Sequence, residues 1–220
     1  MLELKKRDAV VVFDLDDTLY REFDYQTSGL RAVATELERL YGKDLLETLL
    51  QWRNQGVKDI FGEVCRLLQL PHEVKHSLLW VYRLHNPDIC LDDDTQKALS
   101  VIKAMVKNVI ILTDGRSISQ RKKLQALGLN DMDAYISEEY YSEKPDSERF
   151  HLIMKKYSAG SYYYIGDNPH KDFIAPNALG WVTVGLRGHA AIHDQSGSGL
   201  PPMASPSIWI NSIQELVKLL

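Results

Sequence analysis

Two aspartates stand directly after a short apolar run near the N-terminus. The run Val10–Phe13 contains three β-branched residues and one aromatic residue, which predicts a strand buried on both faces. Asp14 and Asp16 follow it at positions i and i+2. Two carboxylates so close together repel each other unless their charge is neutralised. Such a pair can act as a nucleophile and a general acid/base that share a metal ion.

Other polar residues also follow strand-like runs. Thr113 comes directly after Asn108–Leu112, and Asp167 comes soon after Ser161–Ile165. Lys144 lies in a loop that precedes a predicted helix. Because ligands of an open parallel sheet bind at the carboxyl ends of its strands, we expect these side chains to converge with the two aspartates on one crevice.

The residues expected in this crevice combine carboxylates with hydrogen-bond donors. Asp14, Asp16 and Asp167 together favour a hard cation with oxygen ligands, and Mg²⁺ commonly bridges a few carboxylates to a phosphate. Thr113 and Lys144 supply donors for anionic oxygens. A carboxylate nucleophile, Mg²⁺, a hydroxyl and a lysine together describe phosphoryl transfer through an aspartyl-phosphate.

Strand-like runs alternate with helical patterns over most of the chain. Helices are expected at Ser117–Leu127, His170–Leu179 and Ile213–Leu220. This alternation predicts parallel βαβ units, and the fold class is therefore α/β with a doubly wound, Rossmann-like parallel sheet. Trp181–Val184 is another strand-like run, a weaker strand is expected near Ala134–Ser137, and Ser207–Ile210 is expected to add an edge strand.

The interval between residues 20 and 90 interrupts the alternation. Four sets of apolar residues recur there at helical spacing, and Gly42, Gly56 and Pro71 separate them. This pattern predicts a small helical bundle inserted after the first strand. The expected domains are an α/β core of residues 1–19 and 91–220 and a helical unit of residues 20–90.

Composition excludes several classes of protein. The chain of 220 residues has a net charge of -4, which argues against a nucleic-acid-binding surface. No apolar run approaches the length of a membrane span, and the short N-terminal apolar run leads us to expect no signal peptide. The two cysteines, Cys65 and Cys90, have no metal-binding or redox spacing, so we expect a cytoplasmic protein. The Gly-, Pro- and Ser-rich segment Gly185–Ser207 should be an irregular loop.

Four sequence motifs resemble those of the haloacid dehalogenase-like (HAD) superfamily. They are DLDDT at residue 14, TDG at residue 113, the lysine of EKP at residue 144, and GDNPHKD from residue 166 to residue 172. All four occur in the order of the family, each after the expected element, and the combination is more specific than any one motif. The helical insert resembles the type 1 cap of that superfamily.

The resemblance implies a role for each motif residue. Asp14 resembles the nucleophile, and Asp16 resembles the acid/base that protonates the leaving alcohol and then activates water. Thr113 would hydrogen-bond the transferring phosphoryl group, and Lys144 would bind both the nucleophile and the phosphate. The expected Mg²⁺ ligands are Asp14, the backbone carbonyl of Asp16, and Asp167.

Three further positions follow from the same resemblance. Asp114 stands where relatives often have Asn, and its backbone N–H could contact phosphate, as could that of Gly115. Asp172 resembles a support of the metal site. The expected substrate-binding residues are therefore Thr113, Asp114, Gly115 and Lys144.

The leading hypothesis is a Mg²⁺-dependent phosphomonoester hydrolase that acts on a small phosphorylated metabolite. Asp16 favours phosphate over halide or phosphonate, because relatives that cleave those groups lack an aspartate at this position. A sugar-phosphate phosphomutase on the same fold is the alternative enzyme. A non-catalytic HAD-like interaction subunit is the alternative from another class. We expect no nucleic-acid or membrane partner, and either a monomer or a homodimer.

Overall fold

A six-stranded parallel sheet forms the centre of the protein. The structure is a computed structural model that describes residues 7–187 and 201–220. Within those residues the strand order is β3-β2-β1-β4-β5-β6, and every neighbouring pair is parallel, which confirms the predicted α/β doubly wound sheet. The strands are β1 (Arg7–Phe13), β2 (Val106–Thr113), β3 (Asp133–Ile136), β4 (Ser161–Gly166), β5 (Val182–Leu186) and β6 (Ile208–Ile210).

Strand β1 lies in the middle of the sheet because both of its faces are apolar. Val11 and Phe13 join the hydrophobic cluster on one face, and Val10 and Val12 join the cluster on the other. All four side chains are fully buried. Alternate residues of a strand point to opposite faces, so this unbroken apolar run fits only a strand covered on both sides.

Helices cover both faces of the sheet and also form a separate group. Helices α5, α6 and α10 contribute to the cluster that includes Phe13, and α8 and α9 contribute to the cluster that includes Val12. No helix in the described part of the chain is both long and apolar enough to cross a membrane. The helices are α1 (Glu22–Tyr41), α2 (Leu46–Asn54), α3 (Ile60–Leu67), α4 (Val74–Leu84), α5 (Asp93–Met105), α6 (Ser117–Ala126), α7 (Ser137–Tyr140), α8 (Glu148–Lys156), α9 (Ile174–Ala178) and α10 (Ile213–Leu219).

The winding of the sheet reverses next to β1. The chain goes from β1 to β2 and β3 on one side and then returns to β4 on the other side of β1. Loops that leave β1 and β4 therefore diverge above adjacent strand ends. This reversal creates the crevice in which open α/β sheets bind ligands.

Helices α1 to α4 form a unit with its own hydrophobic cluster. Helical structure in this interval agrees with the apolar spacing in the sequence. The unit is inserted between β1 and α5, and the division into domains at residues 20 and 90 stays a prediction. The buried members of its cluster are Leu30, Val33, Ala34, Leu37, Leu49, Val64 and Leu78.

The segment after β4 differs from the prediction of a helix over His170–Leu179. The structure has only the short helix α9 there. Side chains explain the difference: Asn168 accepts from the N–H of His170, and Asp172 accepts from the N–H groups of Asp167 and Asn168. Side-chain acceptors of this kind stabilise turns in competition with a helix.

The predicted loop Gly185–Ser207 lies mostly outside the described residues. Its first two residues belong to β5, and a short 3₁₀ turn is present at Pro202–Ala204. The predicted edge strand at Ser207–Ile210 corresponds to β6.

The separate cluster of α1 to α4 gives a stability prediction. Leu37 is fully buried in that cluster, whereas Leu40 on the same helix is 58% exposed. We expect Leu37→Ala to lower the free energy of unfolding by about 2–5 kcal/mol, because it leaves a cavity. The exposed Leu40→Ala is the matched control and should have little effect. Chemical denaturation followed by circular dichroism measures both, and equal losses would contradict the burial of Leu37.

Candidate active site

Three strand ends bring the polar motif residues together. Asp14 follows β1, Thr113 ends β2, and Asp167 follows β4. The register pairs Phe13 with Ile111 and with Ile165, so these ends lie side by side. The structure therefore places the three motif residues at one edge of the sheet, as the sequence predicts.

Lys144 reaches this edge from the loop between α7 and α8. Its side chain is fully buried, and its Nζ lies 2.8 Å from Asp14 Oδ1 and 2.6 Å from Asp172 Oδ1. The Nζ also donates to the hydroxyl of Tyr164 at 3.0 Å. Burial alone would lower the pKa of Lys144, but the carboxylates of Asp14 and Asp172 raise it well above its usual range. The lysine is therefore a cation.

A cluster of three buried carboxylates surrounds that cation. Oxygen atoms of Asp14, Asp167 and Asp172 all lie within 4.8 Å of one another. Burial raises the pKa of Asp14 to about 6, with Asp172 adding to the rise and Lys144 opposing it. Burial raises the pKa of Asp167 to about 8, and the charges of Asp14 and Asp172 add to the rise. The positive charge of Lys144 is therefore smaller than the combined negative charge of the three carboxylates when they are ionised.

The cluster has the chemistry of a divalent metal site. Its donors are hard carboxylate oxygens, the kind that Mg²⁺ and Ca²⁺ prefer. A cation bound there would oppose the rise in these pKa values, because it favours the ionised form of each carboxyl. The residues present thus fit a magnesium ion.

Gly166 makes room for the carboxylate of Asp172. A Cβ atom at residue 166 would lie 2.5 Å from Asp172 Oδ2. That oxygen accepts from the N–H of Asp167 at 3.1 Å and from the N–H of Asn168 at 2.8 Å. The glycine at the end of β4 therefore lets Asp172 hold the turn that carries Asp167.

Asp16 has a different set of partners from Asp14. Lys123 Nζ lies 2.8 Å from one carboxylate oxygen of Asp16 and 2.9 Å from the other. Gln120 Nε2 donates to Asp16 at 2.9 Å, and the hydroxyl of Tyr20 makes a short hydrogen bond to it. Two residues of α6 and one residue before α1 therefore hold this carboxylate.

These partners keep Asp16 in its charged form. Burial raises the pKa of Asp16, but the charge and hydrogen bond of Lys123, with the hydrogen bonds of Tyr20 and Gln120, outweigh burial and lower it. Nearby, burial and the charge of Asp16 raise the pKa of Glu22 to about 7. The two aspartates of the first motif therefore differ in their surroundings, which is typical of carboxyls with separate roles.

Arg149 organises the segment after β2. Its buried guanidinium donates to the carbonyl oxygens of Thr113 at 2.8 Å and Tyr135 at 3.1 Å, and it also pairs with the carboxylate of Asp114. Asp114 in turn accepts from the backbone N–H of Lys144 at 3.3 Å. The side chain of Asp114 therefore supports the lysine loop.

The structure gives Gly115 a partner other than substrate. Its backbone N–H donates to Ser137 Oγ at 2.9 Å, so contact with phosphate would require this bond to break. The φ of +137° at Gly115 is in the region that favours glycine, and a Cβ there would also meet Gln120 at 2.8 Å. Gly115 thus shapes the turn between β2 and α6.

Three residues of the site were not predicted from the sequence. Gln120 and Lys123 lie three residues apart on α6, and Arg149 lies on α8. All three occupy buried positions. The available signal was a polar residue on an apolar helical face: Lys123 is followed by Leu124 and Leu127, but a charge there is usually read as part of a solvated face.

Comparison with known proteins identifies the family. A model of the haloacid dehalogenase-like hydrolase family matches residues 9–180. The chain belongs to this family. It is also 29% identical over 226 residues to the glyceraldehyde 3-phosphate phosphatase of Methanocaldococcus jannaschii, and the alignment covers 95% of each chain. The resemblance to the HAD superfamily is therefore confirmed, and so is a hydrolase function.

Solved structures of the family share the fold. YfnB from Bacillus subtilis, described as a HAD hydrolase and bound to magnesium, superposes with a TM-score of 0.65 at 19% identity and covers 98% of this chain and 99% of its own. The 2-haloacid dehalogenase of Pseudomonas syringae pv. tomato DC3000 has a TM-score of 0.63 at 16% identity, with 96% and 97% covered. The order of elements described above is therefore that of HAD hydrolases.

The raised pKa of Asp167 gives a prediction for the metal-free protein. Because its folded pKa of about 8 lies above its ordinary value of 3.8, Asp167 lowers stability as the pH rises from about 4 to about 8. We expect Asp167→Asn to be more stable than the wild type at pH 8, by more than the about 1.4 kcal/mol that one pKa unit represents. The difference should shrink toward pH 4.

Urea denaturation with a chelator present, at several pH values, measures this difference. The exposed Asp94→Asn controls for the loss of one negative charge. A stability difference for Asp167→Asn that does not vary with pH would contradict the shifted pKa.

Proposed function

We propose that the protein is a Mg²⁺-dependent phosphomonoester hydrolase that acts through an aspartyl-phosphate. The observation that carries the proposal is the separate pairing of the two aspartates of one motif. Asp14 lies against Lys144, and Asp16 lies against Lys123. One carboxylate can then attack phosphorus while the other moves protons, because different groups hold them.

The proposed reaction has two steps. A carboxylate oxygen of Asp14 attacks phosphorus, the bond from phosphorus to the ester oxygen breaks, and Asp16 gives a proton to that oxygen as the alcohol leaves. Water then attacks phosphorus and gives a proton to Asp16, which releases inorganic phosphate and restores Asp14. Asp16 is ionised in this structure, and a phosphate dianion bound beside it would favour uptake of the first proton, since a nearby negative charge raises the pKa of a carboxyl.

The residues that would hold Mg²⁺ are Asp14, Asp167 and the backbone carbonyl of Asp16. The ion supplies positive charge that offsets repulsion between the carboxylates and the phosphate. Lys144 adds a fixed positive charge beside Asp14, and Thr113 offers a hydroxyl for the phosphoryl oxygens. Positioned charge of this kind is what phosphoryl transfer chiefly requires of a protein.

We propose a small phosphorylated metabolite as the substrate. Residues 20–90, which contain helices α1 to α4, would form a cap domain beside the crevice. In support, the hydroxyl of Tyr20 donates a hydrogen bond to Asp16, and Lys123 Nζ lies 4.2 Å from the centre of the Tyr25 ring on α1. A cap so close to the acid/base suits a small leaving group. The named substrate of the M. jannaschii relative, glyceraldehyde 3-phosphate, belongs to this class.

Replacement of Asp14 tests the nucleophile. We expect Asp14→Asn to lower the release of inorganic phosphate from small phosphate esters by more than about 10³-fold, because removal of a nucleophile abolishes its covalent intermediate. Asp17→Asn is the matched control from the same motif. Asp17 accepts the N–H of Glu22 at 2.8 Å, and asparagine keeps that acceptor, so activity should stay close to wild type.

The assay uses triose phosphates, sugar phosphates, nucleotides and phosphoglycolate. Detection of free phosphate distinguishes hydrolysis from transfer between two hydroxyls of a sugar. Undiminished phosphate release by Asp14→Asn would contradict the proposed nucleophile, and no release by the wild type from any ester would contradict the proposed function.

Removal of the metal gives a separate prediction. We expect Mg²⁺ to raise the melting temperature of the wild type, since a ligand at a hundred times its Kd stabilises the folded state by about 2.7 kcal/mol. The rise should be strongly reduced in Asp167→Asn and unchanged in Asp94→Asn. KCl at matched ionic strength controls for screening. An equal rise in all three proteins would contradict a site at the carboxylate cluster.

A further inference from the structure

A buried lysine on α6, Lys123, contacts the carboxylate of Asp16, which is proposed to move protons. Lys123 Nζ contacts both oxygens of Asp16, at 2.8 Å and 2.9 Å. The side chain of Lys123 is 5% exposed and that of Asp16 is 19% exposed. Because Nζ contacts both oxygens, it fixes the direction in which the carboxylate faces, whereas rotation about the line from Nζ to the carboxyl carbon depends on other donors.

Further hydrogen bonds hold this ion pair in place. Gln120, one turn before Lys123 on α6, donates to Asp16 at 2.9 Å and to the backbone carbonyl of Asp114 at 2.6 Å. The hydroxyl of Tyr20 binds the carboxylate oxygen that lies 2.8 Å from Lys123. Asp16 therefore has donors from two sides, and its side chain cannot turn without losing several of them.

The position of Lys123 is costly for a residue that only stabilises the fold. It lies on α6 directly before Leu124, which is buried in the main hydrophobic cluster together with Leu127, the residue after the end of the helix. Burial of an ion pair in such surroundings is often no better for stability than an apolar pair of the same size. The charge at this position thus points to a task in the site.

We propose that Lys123 is a positioning residue for the general acid/base Asp16. It holds the Asp16 carboxylate in the orientation from which the proton passes to the leaving oxygen. This inference rests on the proposed phosphatase function and assigns no contact between Lys123 and the substrate. The lysine also packs on the ring of Tyr25, at 4.2 Å, so the orientation of Asp16 depends on where α1 lies.

The choice of ester tests this role. An alkyl phosphate such as glycerol phosphate releases an alkoxide, which needs a proton as it departs. An aryl phosphate such as p-nitrophenyl phosphate releases a stable phenolate, which needs little help from an acid. The kcat/KM for each ester reports the steps up to departure of the alcohol, so the two esters isolate the contribution of Asp16.

We expect Lys123→Met to lower kcat/KM for glycerol phosphate by about 10²-fold, within the range that general acid catalysis contributes. For p-nitrophenyl phosphate the loss should be less than about tenfold. Lys123→Arg, which keeps the charge and the donors, should recover much of the activity on glycerol phosphate. Lys122→Met is the matched control, since Lys122 is a half-exposed neighbour that binds Asn86. The ratio of its kcat/KM values for the two esters should equal that of the wild type.

The ratio of the two kcat/KM values is measured on the same sample, so it does not depend on the folded fraction of a variant. Equal losses on both esters, or no loss on either, would overturn the role of Lys123 and leave the proposed function intact. Absence of hydrolysis of both esters and of the other phosphates by the wild type would instead overturn the proposed function itself.

Discussion

Negative charge buried at the ends of β1 and β4 is the constraint on which the rest of the site depends. Three carboxylates lie within 4.8 Å of one another, and Lys144 contacts two of them, Asp14 and Asp172. Burial raises the pKa values of Asp14 and Asp167, and the neighbouring carboxylates add to the rise. A divalent cation would offset this negative charge, and Asp14, the proposed nucleophile, is one of the carboxylates that would hold it.

The sequence alone was sufficient for the fold and for the residues at strand ends. The apolar run before Asp14 implied a strand buried on both faces, and β1 is one of the two middle strands of the sheet. Parallel strands then required the polar residues after β1, β2 and β4 to meet. These predictions succeeded because each one depends on the pattern of a short segment and on a general rule of parallel sheets.

Contacts made by side chains outside the four motifs were not predicted from the sequence. Lys123 lies 107 residues from Asp16, and Arg149 lies 35 residues from Asp114. A lysine on a helix is usually solvated, so its residue type gives no sign of a buried partner. The helix predicted over His170–Leu179 was too long because the side chains of Asn168 and Asp172 accept hydrogen bonds from backbone N–H groups of the turn. The apolar pattern of the segment gives no sign of these bonds.

The guanidinium of Arg149 supports the half of the site that contains Lys144 and Asp14. Arg149 ties the ends of β2 and β3 to Asp114, which receives the N–H of Lys144. The placement of Lys144 beside Asp14, the proposed nucleophile, is thus set on the side of the sheet where α8 packs. Helix α1 lies next to Asp16 instead. An engineer who seeks a new substrate preference can vary α1 while keeping α8 constant, and the contact between Lys144 and Asp14 should survive the change.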